Sequence, residues 1–165
     1  MKEALVEYRP ASAAECEVVK VLLQKSHLPT EGVGEMGPNL IAAVEGGSVI
    51  GASGLEIYGT DGLLRSVVVA DEWRGHGLGR QLVRRTLDLA VQRGLKNVYL
   101  LTEGAAEYFA ALGFRRINRE DVKGKVIDSA EFSHLCPSTA VAMVLHLDRN
   151  VKEEGEEGDG KGSQR

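Results

Sequence analysis

A six-residue stretch rich in glycine most constrains what this chain can fold into. Residues 74–79 read Arg-Gly-His-Gly-Leu-Gly, and they join an apolar run at 63–70 to a helical pattern at 79–93. Glycine reaches positive φ and lets a ligand come close to the backbone. The unpaired N–H groups and positive dipole end of a helix start form an anion site, to which Arg74 adds a fixed charge. The stretch therefore predicts a pyrophosphate cradle between a strand and a helix.

Two other phosphate motifs fit this stretch poorly. A dinucleotide-binding fingerprint needs a glycine three positions after Gly77, where this chain has Arg80. A P-loop needs Gly-Lys-Ser/Thr, which is absent. A tight turn without a ligand stays open as an alternative, although three alternating glycines after an arginine exceed what a plain turn requires.

The rest of the chain alternates strand and helix patterns, which predicts a mixed α/β sheet. Ser12 and Glu15 form a capping-box pattern ahead of a first helix. A hairpin loop is expected at Asp61 and Gly62. The expected strands are 3–8, 40–44, 49–58, 63–70, 97–102, 114–118 and 140–147; further helices are expected at 79–93, 104–112 and 123–132, and a loop or short helix at 26–38.

Composition sets limits on the class of protein. The chain has 165 residues and a net charge of −4, so no overall basic field attracts nucleic acid. Residues 1–149 are predicted to form one domain, and 150–165 an acidic disordered tail. With no long apolar run and no secretory signal, we expect a cytoplasmic protein that binds no membrane. Cys16 and Cys136 lack metal-type spacing, so no metal is expected.

The motifs resemble the GCN5-related N-acetyltransferase (GNAT) superfamily. Residues 74–79 match its Arg/Gln-x-x-Gly-x-Gly/Ala signature, and 108–114 resemble its aromatic helix ending in Leu-Gly-Phe. Over about 3–147, the resemblance implies the GNAT fold, a mixed, splayed central sheet with flanking helices. It also implies acetyl-CoA as cosubstrate and an amine acceptor. The CoA-binding residues that it implies are Val67, Val68, Val69, Arg74, Gly75, His76, Gly77, Leu78, Gly79, Arg80 and Phe109.

A finer resemblance is to the small acetyltransferases of arsenic-resistance operons, which are similar to short N-acetylglutamate synthases. It lies in residues 54–59, 64–66 and 131–137, which read Gly-Leu-Glu-Ile-Tyr-Gly, Leu-Arg-Ser and Glu-Phe-Ser-His-Leu-Cys-Pro. This resemblance implies a small amino-acid-like acceptor that carries a carboxylate and a free amine.

Candidate chemistry lies on one face of the expected hairpin. With a two-residue loop at 61–62, Tyr58 faces Arg65, and Glu56 shares that face. Because an ammonium must lose a proton before it attacks, we expect Glu56 to act as the base. Arg65, with Tyr58 and Ser133, would bind the acceptor and its carboxylate. The alternative is a cross-strand Glu–Arg pair that only stabilises the hairpin.

The acid for the leaving thiolate is not evident. Many superfamily members place tyrosine where this chain has Phe109. Tyr108 is about 100° round the helix, so it is interpreted as a core aromatic. His134 and Cys136, next to Ser133, could also reach the site.

The predicted function is therefore acetyl transfer from acetyl-CoA to the amine of a small amino-acid-like molecule. Two alternatives stay open. The missing tyrosine suits an acyl-CoA-binding regulatory module with little turnover. A protein or peptide N-acetyltransferase would instead need an open groove. Monomer and homodimer are both open.

Overall fold

A computed structural model describes residues 5–147 of the chain. The strands are β1 (Glu7–Pro10), β2 (Leu40–Glu45), β3 (Ser48–Tyr58), β4 (Asp61–Val69), β5 (Asn97–Thr102), β6 (Arg115–Ile117) and β7 (Val141–His146). The α-helices are α1 (Ala13–Lys25), α2 (Leu78–Gln92) and α3 (Ala106–Ala111). Short 3-10 segments lie at Gly34–Asn39, which has a kink at Gly37, and at Asp71–Trp73, Arg119–Asp121 and Lys125–Asp128, and one π turn lies at Glu131–Leu135.

The strands hydrogen-bond in the order β1-β2-β3-β4-β5-β7-β6. β4 and β5 run parallel, whereas β1–β2, β2–β3, β5–β7 and β6–β7 are antiparallel. The predicted mixed α/β sheet with flanking helices is thus confirmed. The first strand lies later than expected and ends at Pro10, because β1 is an edge strand, where a residue without an N–H is tolerated.

The chain forms two compact units, and the boundary between them passes through β3 and β4. Within the described residues the first unit comprises 5–56 and 64–89, and the second comprises 57–63 and 90–147. The expectation of one domain over 1–149 stays a prediction. The expected acidic tail at 150–165 lies outside the described residues.

In the first unit, α1 and α2 each contribute an apolar stripe to a core. From α1, Val19 and Leu23 are fully buried beside Leu40 and Val68 of the sheet. From α2, Leu78 and Leu82 pack with Ile50, Ala43 and Trp73. The start of α1 is set by the expected capping box. The Ser12 Oγ accepts from the Glu15 N–H at 3.2 Å, and the Glu15 carboxylate accepts from the Ser12 N–H at 2.9 Å.

The Glu15 carboxylate also accepts two hydrogen bonds from the Arg9 guanidinium, each at 2.8 Å. These bonds, and next the Ser12 N–H, lower the pKa of Glu15 to about 2. A carboxyl whose pKa is lower in the folded state stabilises the fold above its ordinary value near 4.5, and this contribution is lost as the pH falls towards 2.

We therefore expect Glu15→Gln to lower the melting temperature by roughly 2–4 °C at pH 7. The gap to the wild type should close between pH 4.5 and 2, because the wild-type carboxyl is then protonated too. Thermal unfolding across this range measures it, with the exposed Glu17→Gln as the control. A gap that is constant with pH would contradict the assignment.

In the second unit, β7 lies between β5 and β6. A cluster of buried apolar side chains, Leu63, Tyr99, Val122, Val126 and Val144, forms the core, with Tyr58 and Phe132 packed on it. On α3, Phe109 is buried and stacks edge-to-face on Phe114 at 6.0 Å. The neighbouring Tyr108 is 41% exposed, so its interpretation as a core aromatic is wrong. A six-residue helix buries one narrow side, and Phe109 occupies it.

Among residues 5–147, no helix is long and apolar enough to cross a membrane. The same residues contain no group of three or more His, Cys, Asp or Glu side chains placed to hold a metal ion.

Candidate active site

The predicted anion cradle has the backbone conformation that its glycines predict. Gly75 and Gly77 have φ of +84° and +79°, and both are exposed. Helix α2 begins at Leu78, with Gln81 donating its N–H to the Gly77 carbonyl at 3.2 Å. An added Cβ on either glycine would meet no atom of residues 5–147 within 4 Å. The turn thus presents its backbone and the positive end of α2 to open space.

Arg74 is held beside this turn by three neighbours. Its Nε donates to the Val69 carbonyl at 3.4 Å, and its Nη2 donates to the Ser26 Oγ at 3.3 Å. The Asp71 carboxylate lies 3.4 Å from the same Nη2. The guanidinium is exposed, so its charge adds to that of the helix start. Arg74 therefore joins the end of β4, the end of α1 and the cradle.

Two buried side chains at the cradle, those of Trp73 and Leu78, pack into the core of the first unit. Trp73 is buried in the core of the first unit, and its carbonyl lies 3.2 Å from Nδ1 of His76. Leu78 is buried in the same cluster. Arg80 is exposed on the first turn of α2. On β4, Val67 and Val69 are half-buried and Val68 is buried, which fits alternate faces of a strand.

The ladder between β4 and β5 runs from the Asp61↔Asn97 pair to the Leu63↔Tyr99 pair. The backbone of 67–69 lies beyond this ladder. This is the part of β4 in which the resemblance implies a pantetheine contact.

Glu56 and Arg65 form an ion pair in the first unit. Arg65 Nη1 lies 2.7 Å from Glu56 Oε2, and the two side chains are 1% and 16% exposed. The expected proximity of these residues is confirmed. Their roles as base and clamp stay predictions, as do the substrate-binding roles of Tyr58 and Ser133.

The hairpin loop between these strands does not lie at Asp61 and Gly62, where it was expected. The turn between β3 and β4 is at Gly59 and Thr60, where Gly59 has φ of +65°. Asp61 is instead the first residue of β4; it pairs with Asn97 of β5, and its carboxylate accepts from the Asn97 Nδ2 at 3.0 Å. Asp61 and Gly62 thus begin β4 and do not form the turn, because pairing with the parallel strand β5 and the Asn97–Asp61 side-chain hydrogen bond hold them in the strand.

Sequence reasoning missed Ser66. This buried residue has φ of +61°, a conformation that non-glycine residues rarely adopt, and it lies in the middle of β4. Its Oγ accepts from the Arg65 Nε at 3.1 Å. The available signal was an Arg-Ser pair inside an apolar run, but such a pair does not predict positive φ.

The loop between α1 and β2 also reaches this pair. A Cβ added to Gly32 would lie 3.0 Å from the Arg65 Nη1 and 3.6 Å from the Glu56 Oε2. Just after it, Val33 and Met36 are buried in the core with α1. The sequence predicted a loop or short helix at 26–38, and in the structure Gly32 of this segment lies against the Glu56–Arg65 pair.

The second unit holds the remaining candidates. Ser133 lies in the π turn, where its Oγ is 3.1 Å from Nδ1 of His134. Cys136 donates to the buried Glu131 carboxylate at 3.8 Å. Burial first, and then Glu131, raise the pKa of Cys136 to about 12, so its thiol keeps its proton at neutral pH.

Comparison of the sequence with known proteins identifies its family. The sequence profile of the Acetyltransferase (GNAT) family matches residues 4–114, more than half of the chain. An amino-acid acetyltransferase of Mycobacterium tuberculosis is 31% identical over 103 residues, which cover 62% of this chain and 56% of that protein. An uncharacterized N-acetyltransferase of Chlorobaculum tepidum is 30% identical over 81 residues, 48% of this chain and 52% of that protein. The chain thus spans about half the length of these curated relatives.

Solved structures agree on the fold. Rv2747 from Mycobacterium tuberculosis, solved in complex with CoA and NLQ, superposes with a TM-score of 0.73 at 27% identity, over 86% of this chain and 99% of that chain. An N-acetylglutamate synthase from Neisseria gonorrhoeae, complexed with CoA and N-acetyl-glutamate, gives 0.75 at 18% identity, over 88% of this chain and 36% of that chain. The second likeness supports the fold alone. The chain therefore belongs to the GNAT family of acetyltransferases.

Proposed function

We propose that this protein transfers the acetyl group of acetyl-CoA to the amine of a small amino-acid-like acceptor. The observation that carries the proposal is the turn at the start of α2. Gly75 and Gly77 have positive φ there, none of the described residues fills the space where their side chains would be, and Arg74 lies alongside.

This turn suits a pyrophosphate for electrostatic reasons. Its N–H groups and those of the first turn of α2 can donate to phosphate oxygens, and the helix dipole favours negative charge at this end. Arg74 and Arg80 supply charge-assisted donors. In the proposed complex the backbone of Val67, Val68 and Val69 pairs with the pantetheine arm, which leads the thioester along β4.

The acceptor class is proposed from two relatives. One is described as an amino-acid acetyltransferase, and the other was solved with CoA and NLQ. Arg65 lies on the same strand, β4, that would hold the pantetheine, and Glu56 lies on β3. The finer resemblance to the arsenic-resistance acetyltransferases adds phosphinic and arsinic analogues of amino acids to the acceptors worth testing.

The proposed chemistry proceeds in three steps. The Glu56 carboxylate takes a proton from the acceptor ammonium, directly or through water. The neutral nitrogen attacks the acetyl carbonyl carbon, and backbone N–H groups stabilise the oxyanion that forms. The C–S bond then breaks, so that the acetyl group stays on nitrogen and CoA leaves as a thiolate; the second proton, which the positively charged nitrogen of the intermediate releases, balances the proton that the thiolate takes up.

One observation favours a second candidate, a CoA-binding module with little turnover. Phe109 is buried against Phe114 and offers no hydroxyl to protonate the thiolate. Loss of a general acid typically lowers a rate about 10²–10⁴-fold. A thiolate is nevertheless a tolerable leaving group, so we expect slow transfer rather than none.

Acetyl-CoA-dependent thiol release should therefore be fastest with α-amino acids and their phosphinic or arsinic analogues, and slower with polyamines and peptides. Product analysis by mass spectrometry should show one acetyl group on the acceptor nitrogen. A single-turnover experiment separates the two candidates. If the protein binds acetyl-CoA but acetylates none of the acceptors, the result favours the CoA-binding module. If transfer to peptides is faster than transfer to α-amino acids, the proposed acceptor class is wrong but the proposed acetyl-transfer reaction stands.

A further inference from the structure

Gly32, in the loop between α1 and β2, and Arg65, on β4, both lie next to the carboxylate of Glu56, which we propose as the base. We propose that Arg65 is a positioning residue, which orients Glu56 and does not touch the acceptor, and that Gly32 holds this arrangement closed. This inference rests on the proposed function, because it assigns how the base of that reaction is placed.

Arg65 is fixed through two of its nitrogen atoms. Its Nη1 makes the 2.7 Å contact to Glu56 Oε2, and its Nε donates to the Ser66 Oγ at 3.1 Å. The positive φ of Ser66, +61°, keeps that hydroxyl against the preceding side chain in the strand. A planar guanidinium bonded through two of its nitrogens has a fixed direction, and its Nη1 holds one oxygen of the Glu56 carboxylate.

The difference in exposure decides which partner a substrate can meet. The Arg65 side chain is 1% exposed, whereas that of Glu56 is 16% exposed. A clamp has to present its N–H groups to the acceptor carboxylate, and an enclosed guanidinium presents none to a molecule arriving from solvent. The carboxylate of Glu56 is the more accessible member of the pair, as a base must be.

Gly32 closes the pair from the loop side. Its φ of +82° belongs to the left-handed region, and a Cβ there would lie 3.0 Å from Arg65 Nη1. The loop is not free to withdraw, since Val33 and Met36 are buried in the core and the Glu35 N–H donates to the Gly32 carbonyl at 3.2 Å. Opening it to admit a carboxylate to Arg65 would uncover both core side chains. A Cβ at position 32 therefore requires the Arg65 guanidinium to shift by a few tenths of an ångström.

The test compares Arg65→Met, Arg65→Lys and Gly32→Ala with the wild type, using one anionic and one neutral amine as acceptors. The matched control is Gly124→Ala, because Gly124 has φ of +91° and its added Cβ would lie 3.1 Å from an Asp61 carboxylate oxygen. CoA affinity and thermal unfolding show that each variant is folded.

If Arg65 positions the base, Arg65→Met lowers kcat roughly 10- to 100-fold for both acceptors, because a displacement of about 1 Å can cost about 10²-fold. Gly32→Ala lowers kcat for both acceptors by a smaller factor, because its Cβ shifts the ion pair less. The ratio of the two acceptor KM values stays unchanged, and Arg65→Lys recovers part of the rate. Arg65→Met added to Glu56→Gln should cause little further loss, since both changes act on one group. Gly124→Ala should keep wild-type kcat.

Four other results would overturn the inference. A rise in KM for the anionic acceptor alone in Arg65→Met would make Arg65 a clamp. Additive losses in the double variant, or equal kcat losses in Gly32→Ala and Gly124→Ala, would make the contacts merely structural. A wild-type protein that binds CoA but acetylates nothing would overturn the proposed function, and the inference with it.

Discussion

Gly77→Val is expected to weaken CoA binding at least about 100-fold. The φ of +79° at this position is strained for a β-branched residue, by about 1–3 kcal/mol. The new side chain would also occupy the space in front of the turn, which no protein atom fills. Losing charge-assisted hydrogen bonds worth about 1.5–3 kcal/mol each is enough for a change of this size.

The chain offers a closely matched control for this variant. Gly94 follows the other end of α2, is exposed, has φ of +77°, and a Cβ there would also meet nothing within 4 Å. Gly94→Val should lose similar stability in denaturant unfolding yet bind CoA as the wild type does in calorimetry. Unchanged CoA affinity in a folded Gly77→Val protein would show that the turn does not hold the pyrophosphate.

Glu56→Gln is expected to lower kcat about 10²–10⁴-fold, the usual contribution of a general base. Glutamine keeps an amide oxygen that can accept from Arg65, so CoA affinity should stay within about twofold. Raising the pH should restore part of the rate, because an acceptor amine with a pKa of about 9–10 then becomes neutral without help. A pH–rate series measures this directly.

A second glutamate on the same sheet serves as the comparison. Glu45 is the last residue of β2, and Glu45→Gln should leave the pH–rate profile as it is. If Glu56→Gln has a constant small defect at every pH, the carboxylate does not take the proton, and the ion pair has only a structural role.

Local signals predicted much of this fold. The bounds of β5 were predicted to the residue, and the capping box at Ser12 and the strand–turn–helix unit around Gly77 follow from short stretches with strong conformational preferences. Such features depend on a few adjacent residues, so a single sequence contains what is needed to find them.

Features set by tertiary packing were not predictable in this way. The loop at Gly59 and Thr60 replaced the stronger Asp-Gly signal because Asp61 has a partner in β5. The positive φ of Ser66 has no signal in the local sequence, and the approach of Gly32 to Arg65 joins residues 33 positions apart. Proximity of Glu56 to Arg65 was predicted correctly although the assumed register was wrong, since both strands flank one short turn.

The place of β7 in the sheet has a consequence for biosynthesis. β6 pairs with β7 and not with β5, although β5 and β6 leave the ribosome first and β7 must insert between them. Until residues 141–146 emerge, β5 has one bare edge and β6 has no strand to pair with. Unpaired edges invite pairing with other chains. A nascent chain stopped before Val141 is thus expected to expose these unpaired strand edges to other chains.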